Sequence, residues 1–361
     1  MTGNAQAEQV PPAWRDGALR IVLIGGGSGL STLLHGLKEY ARPGEHNAEG
    51  VRISRPPLVD IAAVVTVADD GGSSGRLRRE FKVLAPGDIR NCMVALSEDE
   101  ALLSRLFQYR FASGGGLKGH SFGNLFLTAL TKVTGDFPQA VKVSSEVLKI
   151  AGKIYPSTTA NVSLTAELDD GSTVLGETRI SRSQARIRRI HLKPAGAKPL
   201  AETLRTIAEA DLISFGPGSL FTSVIPNLLV KGIPEAIANS PALKAYFVNL
   251  MWQPGETMNF SAAEHVAALA DHAGCNLLDY VVYNTRPISP ELLKRYAKQR
   301  AMPVPNDLED LRAMGVRLVG RDLLEEGEKV RHDPAASAAV ALELAAEGRR
   351  LRLEKDASAG V

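Results

Sequence analysis

Leu19-Arg20-Ile21-Val22-Leu23-Ile24 runs directly into Gly25-Gly26-Gly27-Ser28-Gly29-Leu30, and Ser31 to Tyr40 then follows a helical pattern. An apolar, branched run that stops at glycine before a helix is the opening unit of an α/β sheet. Glycine here lets the backbone approach a phosphate, and the helix N-terminus that follows favours negative charge. The dinucleotide fingerprint is not met. Counted from Gly25 its sixth position is Leu30, and counted from Gly27 it is Thr32. The phosphate-loop ending Gly-Lys-Ser/Thr is also absent. Four glycines in five positions exceed what a tight turn needs, so the cluster is read as an anion or nucleotide site.

The same rhythm recurs downstream. Val59 to Val67 is almost wholly apolar, as a strand buried on both faces is. Helical patterns fill 88–134, with a break at Ser113 to Gly116, and continue over Asp136 to Ile150, where Asp136 caps and Pro138 suits the first turn. Residues 161–180 alternate around the turn Asp169-Asp170-Gly171-Ser172 and read as a hairpin, with a third strand at 187–192. Strands are expected at 211–215, 246–250, 280–284 and 316–319. Helices are expected at 220–230 (kinked near Pro226), 262–272, 290–299 and 335–351. The fold class is therefore α/β: a doubly wound, mostly parallel Rossmann-like sheet with helices on both faces and a small β insertion. Residues 1–18 read as a leader, 19–330 as one domain with a β-rich insertion at 151–195, and 331–361 as a C-terminal helix and tail.

Composition narrows the function. The 361 residues carry a formal net charge of +2, which gives no global pull toward nucleic acid or anionic membrane. Two cysteines, Cys92 and Cys275, cannot build a disulfide framework. No apolar run reaches the ~20 residues of a membrane span, and the first residues lack a signal-peptide core. A cytoplasmic protein is expected, without nucleic acid or membrane insertion as partners. Glycine is the exception to this plain composition. Of 33 glycines, 16 fall in six motifs.

The second motif, Ala68-Asp69-Asp70-Gly71-Gly72-Ser73-Ser74-Gly75-Arg76, follows the second strand. Asp69 and Asp70 could hold hydrated Mg²⁺, accept ribose hydroxyls or act as a base, and Ser73 and Ser74 offer hydroxyls. In Pro86-Gly87-Asp88-Ile89-Arg90-Asn91, Asp88 reads as a helix cap, while Arg90 and Asn91 could face an anion. The fourth motif, Gly114 to Asn124, contains Lys118, His120, Ser121 and Asn124, with Ser121 or His120 at an N-cap. In the fifth, Gly216-Pro217-Gly218-Ser219 opens another helix, with Thr222 and Ser223 behind it. Asn249, Gln253 and Thr257 mark the sixth and could read a base or sugar edge. Trp252 beside them could stack on a ring or cover the core. No Gly-x-Ser-x-Gly elbow or His-Glu-x-x-His is present, and neither cysteine is a good nucleophile. Asp69, Asp70 and His120 are the catalytic candidates. The arginines of 182–189 read as a solvated β face, with a partner surface as the other reading.

Together the six motifs, over about residues 19 to 300, resemble those of the YvcK-type gluconeogenesis factors, relatives of the 2-phospho-lactate transferases of deazaflavin coenzyme synthesis. The resemblance implies a Rossmann-like fold, a UDP-sugar ligand such as UDP-N-acetylglucosamine, and a role in balancing carbon flux toward cell-wall precursors and cell shape. Gly25 to Leu30 and Gly216 to Ser219 would hold the diphosphate. Ser28 stands where relatives often have Thr, and Trp252 where they commonly carry Thr. A Mg²⁺-dependent transferase of a phosphorylated group or nucleotidyl unit is the alternative. A regulated protein partner and a homo-oligomer are further expectations.

Overall fold

The structure is a computed structural model that describes residues 17–41, 58–97 and 102–359. Most of the expected leader lies outside these residues. The strands, in chain order, are β1 (Leu19–Gly25), β2 (Val59–Val65), β3 (Lys153–Pro156), β4 (Ser163–Leu168), β5 (Thr173–Leu175), β6 (Ile187–Lys193), β7 (Leu212–Phe215), β8 (Leu243–Phe247), β9 (Tyr280–Asn284), β10 (Arg317–Arg321), β11 (Leu324–Glu326) and β12 (Val330–His332).

Seven of them form one sheet in the order β10-β9-β8-β7-β1-β2-β3, with every pairing parallel. The chain winds outward from β1 through β2 to β3, then returns to β7 on the other side of β1 and winds the opposite way. That reversal opens a crevice at the carboxyl ends of β1 and β7, where ligands of such sheets bind. The sheet core is apolar throughout. Ile21, Leu23, Ile24, Ile61, Val64, Ile213, Phe215 and Val281 are fully or almost fully buried, and each such side chain contributes about 1.5–3 kcal/mol to folding.

The helices differ from expectation in instructive ways. The first begins at Gly27, inside the glycine cluster, and runs to Ala41. The segment 220–230 is not one kinked helix: five residues of wide π turn, Leu220–Val224, precede a short α turn, Ile225–Leu228. The helices Ala201–Glu209 and Ile233–Asn239 were not foreseen. Asp136 caps Phe137–Val147 as expected, its Oδ2 accepting from the Gln139 amide at 3.0 Å.

The β insertion is smaller than 151–195. Lys153–Pro156 joins the main sheet as its edge, and the three-stranded sheet β5-β4-β6 follows it. The alternation expected to reach Ile180 stops at Leu175, and Glu177–Ile180 is a helical turn.

The C-terminal helix Pro334–Ala359 packs across β1, β7 and β8. Arg349, 2% exposed, donates to the fully buried Asp211 carboxylate through Nη2 at 2.6 Å and Nε at 3.0 Å. It also holds the carbonyls of Gly17 and Ala18. Among the described residues no single helix is long and apolar enough to cross a membrane.

Candidate functional site

The crevice at the sheet reversal is a cavity of about 270 Å³. Nine of the expected ligand residues line it: Gly26, Gly27, Ser28 and Gly29 from the first turn, Pro217, Gly218 and Ser219 from the fifth motif, and Asn249 and Gln253 from the sixth. The two turns press on each other. A Cβ on Gly29 would lie 2.6 Å from the Pro217 carbonyl oxygen and 2.7 Å from Gly218 Cα. The Asn249 amide braces the second turn from both sides, accepting from Gly218 N at 3.2 Å and donating to Gly218 O at 2.9 Å. Gln253 Nε2 donates to Ser219 Oγ at 2.8 Å, and its buried Oε1 has no partner.

Several expected ligand residues are absent from the lining of this cavity. Leu30 is fully buried and packs against Gly25. The Gly25 carbonyl accepts from Thr66 N and Asn227 Nδ2. Thr257 is fully buried, its Oγ1 accepting from the Gln253 amide. Gly216 lies behind the cavity, its amide donating to Ile24 O. Ser121 is the N-cap of Phe122–Thr134, accepting from Asn124 N. Lys118 is exposed, and its carbonyl accepts from Arg76. Trp252 packs against the core and lines the cavity, and its Nε1 donates to the Phe260 carbonyl at 2.8 Å.

A second polar cavity of about 520 Å³ shares Ser28 and Thr32 with the first and adds Arg90 and Asn91. Arg331 of β12 borders both cavities, and His332 borders the first. Sequence reasoning missed this hairpin because its strands are three residues long and lie 300 positions from the glycine turn they face. Burial pushes the His332 imidazole down to about 4, and its Nε2 sits 3.1 Å from the Val248 carbonyl.

Beneath the crevice lies a set of buried carboxyls. Asp88 does not cap its helix; the N-cap position is Pro86. Its side chain instead faces the first turn, and a Cβ on Gly26 would fall 2.4 Å from Asp88 Oδ2. Burial, and then the charge of Asp69, push Asp88 up to about 7, with the Gly27 amide and Arg90 opposing only in part. Glu177, from the insertion, is pushed up to about 9 by burial and then by Asp69. Burial also raises Glu256, whose Oε1 accepts from Ser181 Oγ at 3.0 Å and Thr222 Oγ1 at 3.1 Å.

Asp69 and Asp70 part company. Asp69 Oδ1 accepts from the Gly71 amide at 2.7 Å. Asp70 Oδ1 accepts from both the amide and the hydroxyl of Thr178, at 2.9 and 2.8 Å, and so pins the insertion. Arg78 pins it again, bridging the Ala68 and Asp69 carbonyls to Asn161 and Val162. Among the described residues no group of three or more His, Cys, Asp or Glu is placed to hold a metal ion. His120 is 4% exposed and shares a 2.9 Å hydrogen bond with Ser73 Oγ. Burial and then Arg76 hold its imidazole below the usual value. Ser74 Oγ accepts from Asn124 Nδ2 at 3.4 Å, leaving the buried Asn124 Oδ1 without a partner.

The six motifs thus converge on one edge of the sheet, and the family described as "2-phospho-L-lactate transferase CofD" matches residues 21–324. The chain belongs to the CofD family. It is 46% identical over 329 residues to the gluconeogenesis factor of Bacillus subtilis, covering 91% of this chain and 98% of that protein. It is 45% identical over 324 residues to the gluconeogenesis factor of Halalkalibacterium halodurans, covering 90% and 95%. A crystal structure of a member of the UPF0052 family from Bacillus halodurans superposes with a TM-score of 0.83 at 44% identity, over 90% of this chain and 99% of that one. These two relatives named gluconeogenesis factor therefore match this CofD-family member over nearly their full lengths.

Proposed function

We propose that this chain is a cytoplasmic regulatory protein that binds a UDP-sugar, such as UDP-N-acetylglucosamine, and links gluconeogenic carbon flux to cell-wall precursor supply and cell shape. One observation carries the binding reading: the Gly26–Gly29 and Pro217–Ser219 turns close on one crevice at the sheet reversal. The first turn opens the helix Gly27–Ala41, whose N-terminus favours the negative charge of a diphosphate. Ser28, Ser219 and Ser223 supply hydroxyls around it, and the free Gln253 Oε1 supplies an acceptor for a base N–H or sugar hydroxyl. The gluconeogenic part follows the names of the relatives, and the link to cell-wall precursors and cell shape follows the resemblance of the six motifs.

Calorimetric titration with UDP-N-acetylglucosamine, UDP-glucose and NAD tests the reading. UDP-sugars should bind more tightly than NAD, and Gln253→Ala should weaken them about tenfold, as expected for one lost hydrogen bond to a polar ligand. Failure to bind any UDP-sugar would sink it. A deletion strain should grow poorly on gluconeogenic carbon sources relative to glucose.

The transferase reading rests on Asp88, a carboxyl held near neutrality beside Asp69, as a general base requires. Pyrophosphate release from UTP, a sugar phosphate and Mg²⁺, lost in Asp69→Asn, would favour it.

A further inference from the structure

The insertion carries a charge pattern that the ligand site does not use. Between Glu177 and Glu202 the sequence holds five arginines and two lysines and no Asp or Glu, in a chain whose 42 basic and 40 acidic residues nearly balance. Arg186 is occupied: it pairs with Glu264 at 2.7 Å and lies 4.4 Å over the Phe260 ring. Arg189 donates to the Asp271 carbonyl. Arg179, Arg182 and Arg188 are exposed and, among the described residues, make no side-chain hydrogen bond or ion pair.

The backbone is bent to keep this arrangement. On β6, Arg189 faces Glu167 of β4, but Ile187 faces Leu168, so Arg188 is an extra residue opposite no partner. This bulge lets two consecutive arginines point outward while Ile187 and Ile190 on either side stay buried. Without it, strict alternation would bury one arginine or expose one isoleucine. A bulge gives up ladder pairing in order to re-aim a side chain. Here the side chain gained is a free guanidinium.

We infer that the exposed arginines of the insertion, Arg182 and Arg188 foremost, dock an acidic surface of a partner protein. Guanidinium groups match carboxylates bidentately and steer oppositely charged surfaces together. Nucleic acid fits less well. There is no Phe, Tyr or Trp between Tyr155 and Phe215 to stack a base, and His191 is paired with Glu167. The same small sheet carries Glu167, Asp169 and Asp170, which would repel a continuous phosphate backbone. The arginines also neighbour the tethers: Arg179 follows Thr178, held by Asp70, and Arg182 follows Ser181, held by Glu256. A partner seated there would lie against the residues that fix the insertion to the crevice.

The test uses the full chain, a labelled poly-glutamate peptide and a DNA duplex of equal charge, read by fluorescence anisotropy. The peptide should bind the wild type and should bind Arg182→Glu/Arg188→Glu about tenfold or more weakly. A control with the same net charge, Lys132→Glu/Lys142→Glu on other exposed helices, should bind like the wild type. Arg188→Gln, read in parallel, should weaken the peptide about threefold, which keeps the test decisive if the double reversal unfolds. Equal weakening by the control, or tighter binding of the duplex than of the peptide, would overturn the inference. None of these readings depends on a nucleotide sugar.

Discussion

Gly29→Ala sets two magnitudes against each other. Gly29 lies in the first turn of the helix Gly27–Ala41, where alanine is the better helix former by about 1 kcal/mol. On propensity alone the substitution stabilises. The new Cβ, however, would sit 2.6 Å from Pro217 O, 2.7 Å from Gly218 Cα and 2.8 Å from Gly218 N. Comfortable contact is near 3.5 Å, so one turn must retreat by nearly an ångström. The neighbours are backbone atoms, and Asn249 holds them on both sides. Overpacking of this kind costs about 1–3 kcal/mol, and the expected net loss is about 0–2 kcal/mol. Melting temperature should fall by up to a few degrees at ~2 °C per kcal/mol. The effect on ligand should be larger, because the displaced turn is the cavity wall: a misplacement of this size can cost up to about a hundredfold in a positioned interaction. Differential scanning calorimetry and UDP-N-acetylglucosamine titration read both effects. Gly115→Ala, with no atom within 4 Å of the new Cβ, serves as the neutral control. A Gly29→Ala protein that binds ligand as the wild type does would show that the two turns do not form the wall described.

Three further outcomes follow from the buried charges. Arg349→Met should destabilise by about 1.5–3 kcal/mol in urea titration, because the buried Asp211 carboxylate loses its bonds to this guanidinium and keeps only Arg352 Nη2 at 2.8 Å and the Arg20 amide, and Arg349→Met/Asp211→Asn should recover part of the loss. Asp88 keeps its proton to about pH 7 when folded but only to about pH 4 when unfolded, so the folded state holds more protons in that window. Stability should therefore fall as pH rises from 4 to 7, by up to about 4 kcal/mol from this group, and Asp88→Asn should flatten that part of the profile measured by denaturant unfolding. Asp70→Ala should release the insertion, with faster hydrogen exchange over 173–186, whereas Asp69→Asn should leave that exchange unchanged.

Much of this arrangement could be read from the sequence because parallel strands announce themselves. Tyr280–Asn284 falls where it was expected, and each polar motif sits at a strand's carboxyl end or a helix start. Contacts between motifs were not legible. Asp88 resembles a helix cap, since Asp before an apolar helix usually is one, and only the fold brings Gly26 against it. Glu177 gives no local signal at all; its raised pKa comes first from burial in the fold and then from carboxyls such as Asp69, distant in the chain. The glycines were read as bare backbone awaiting a ligand. Gly26, Gly29, Gly87 and Gly123 also lie where one motif presses on another, against Asp88, Pro217, Asp69 and Arg90 respectively. Lys153–Pro156 escaped notice because four residues ending in proline carry too little periodicity, although proline is at home on a sheet edge.

The Arg349 clasp has a topological consequence. Because one guanidinium holds Asp211 together with the carbonyls of Gly17 and Ala18, the start of β1 and the last helix meet at a fixed point. From there the helix runs ten residues to Ala359, about 15 Å at helical rise. A linker of that reach would make the described chain a closed ring. The ring could then be reopened at the exposed Asp169–Ser172 turn of the insertion without cutting any strand of the main sheet. The order in which the strands are synthesised would change, and the crevice between β1 and β7 would keep both its walls.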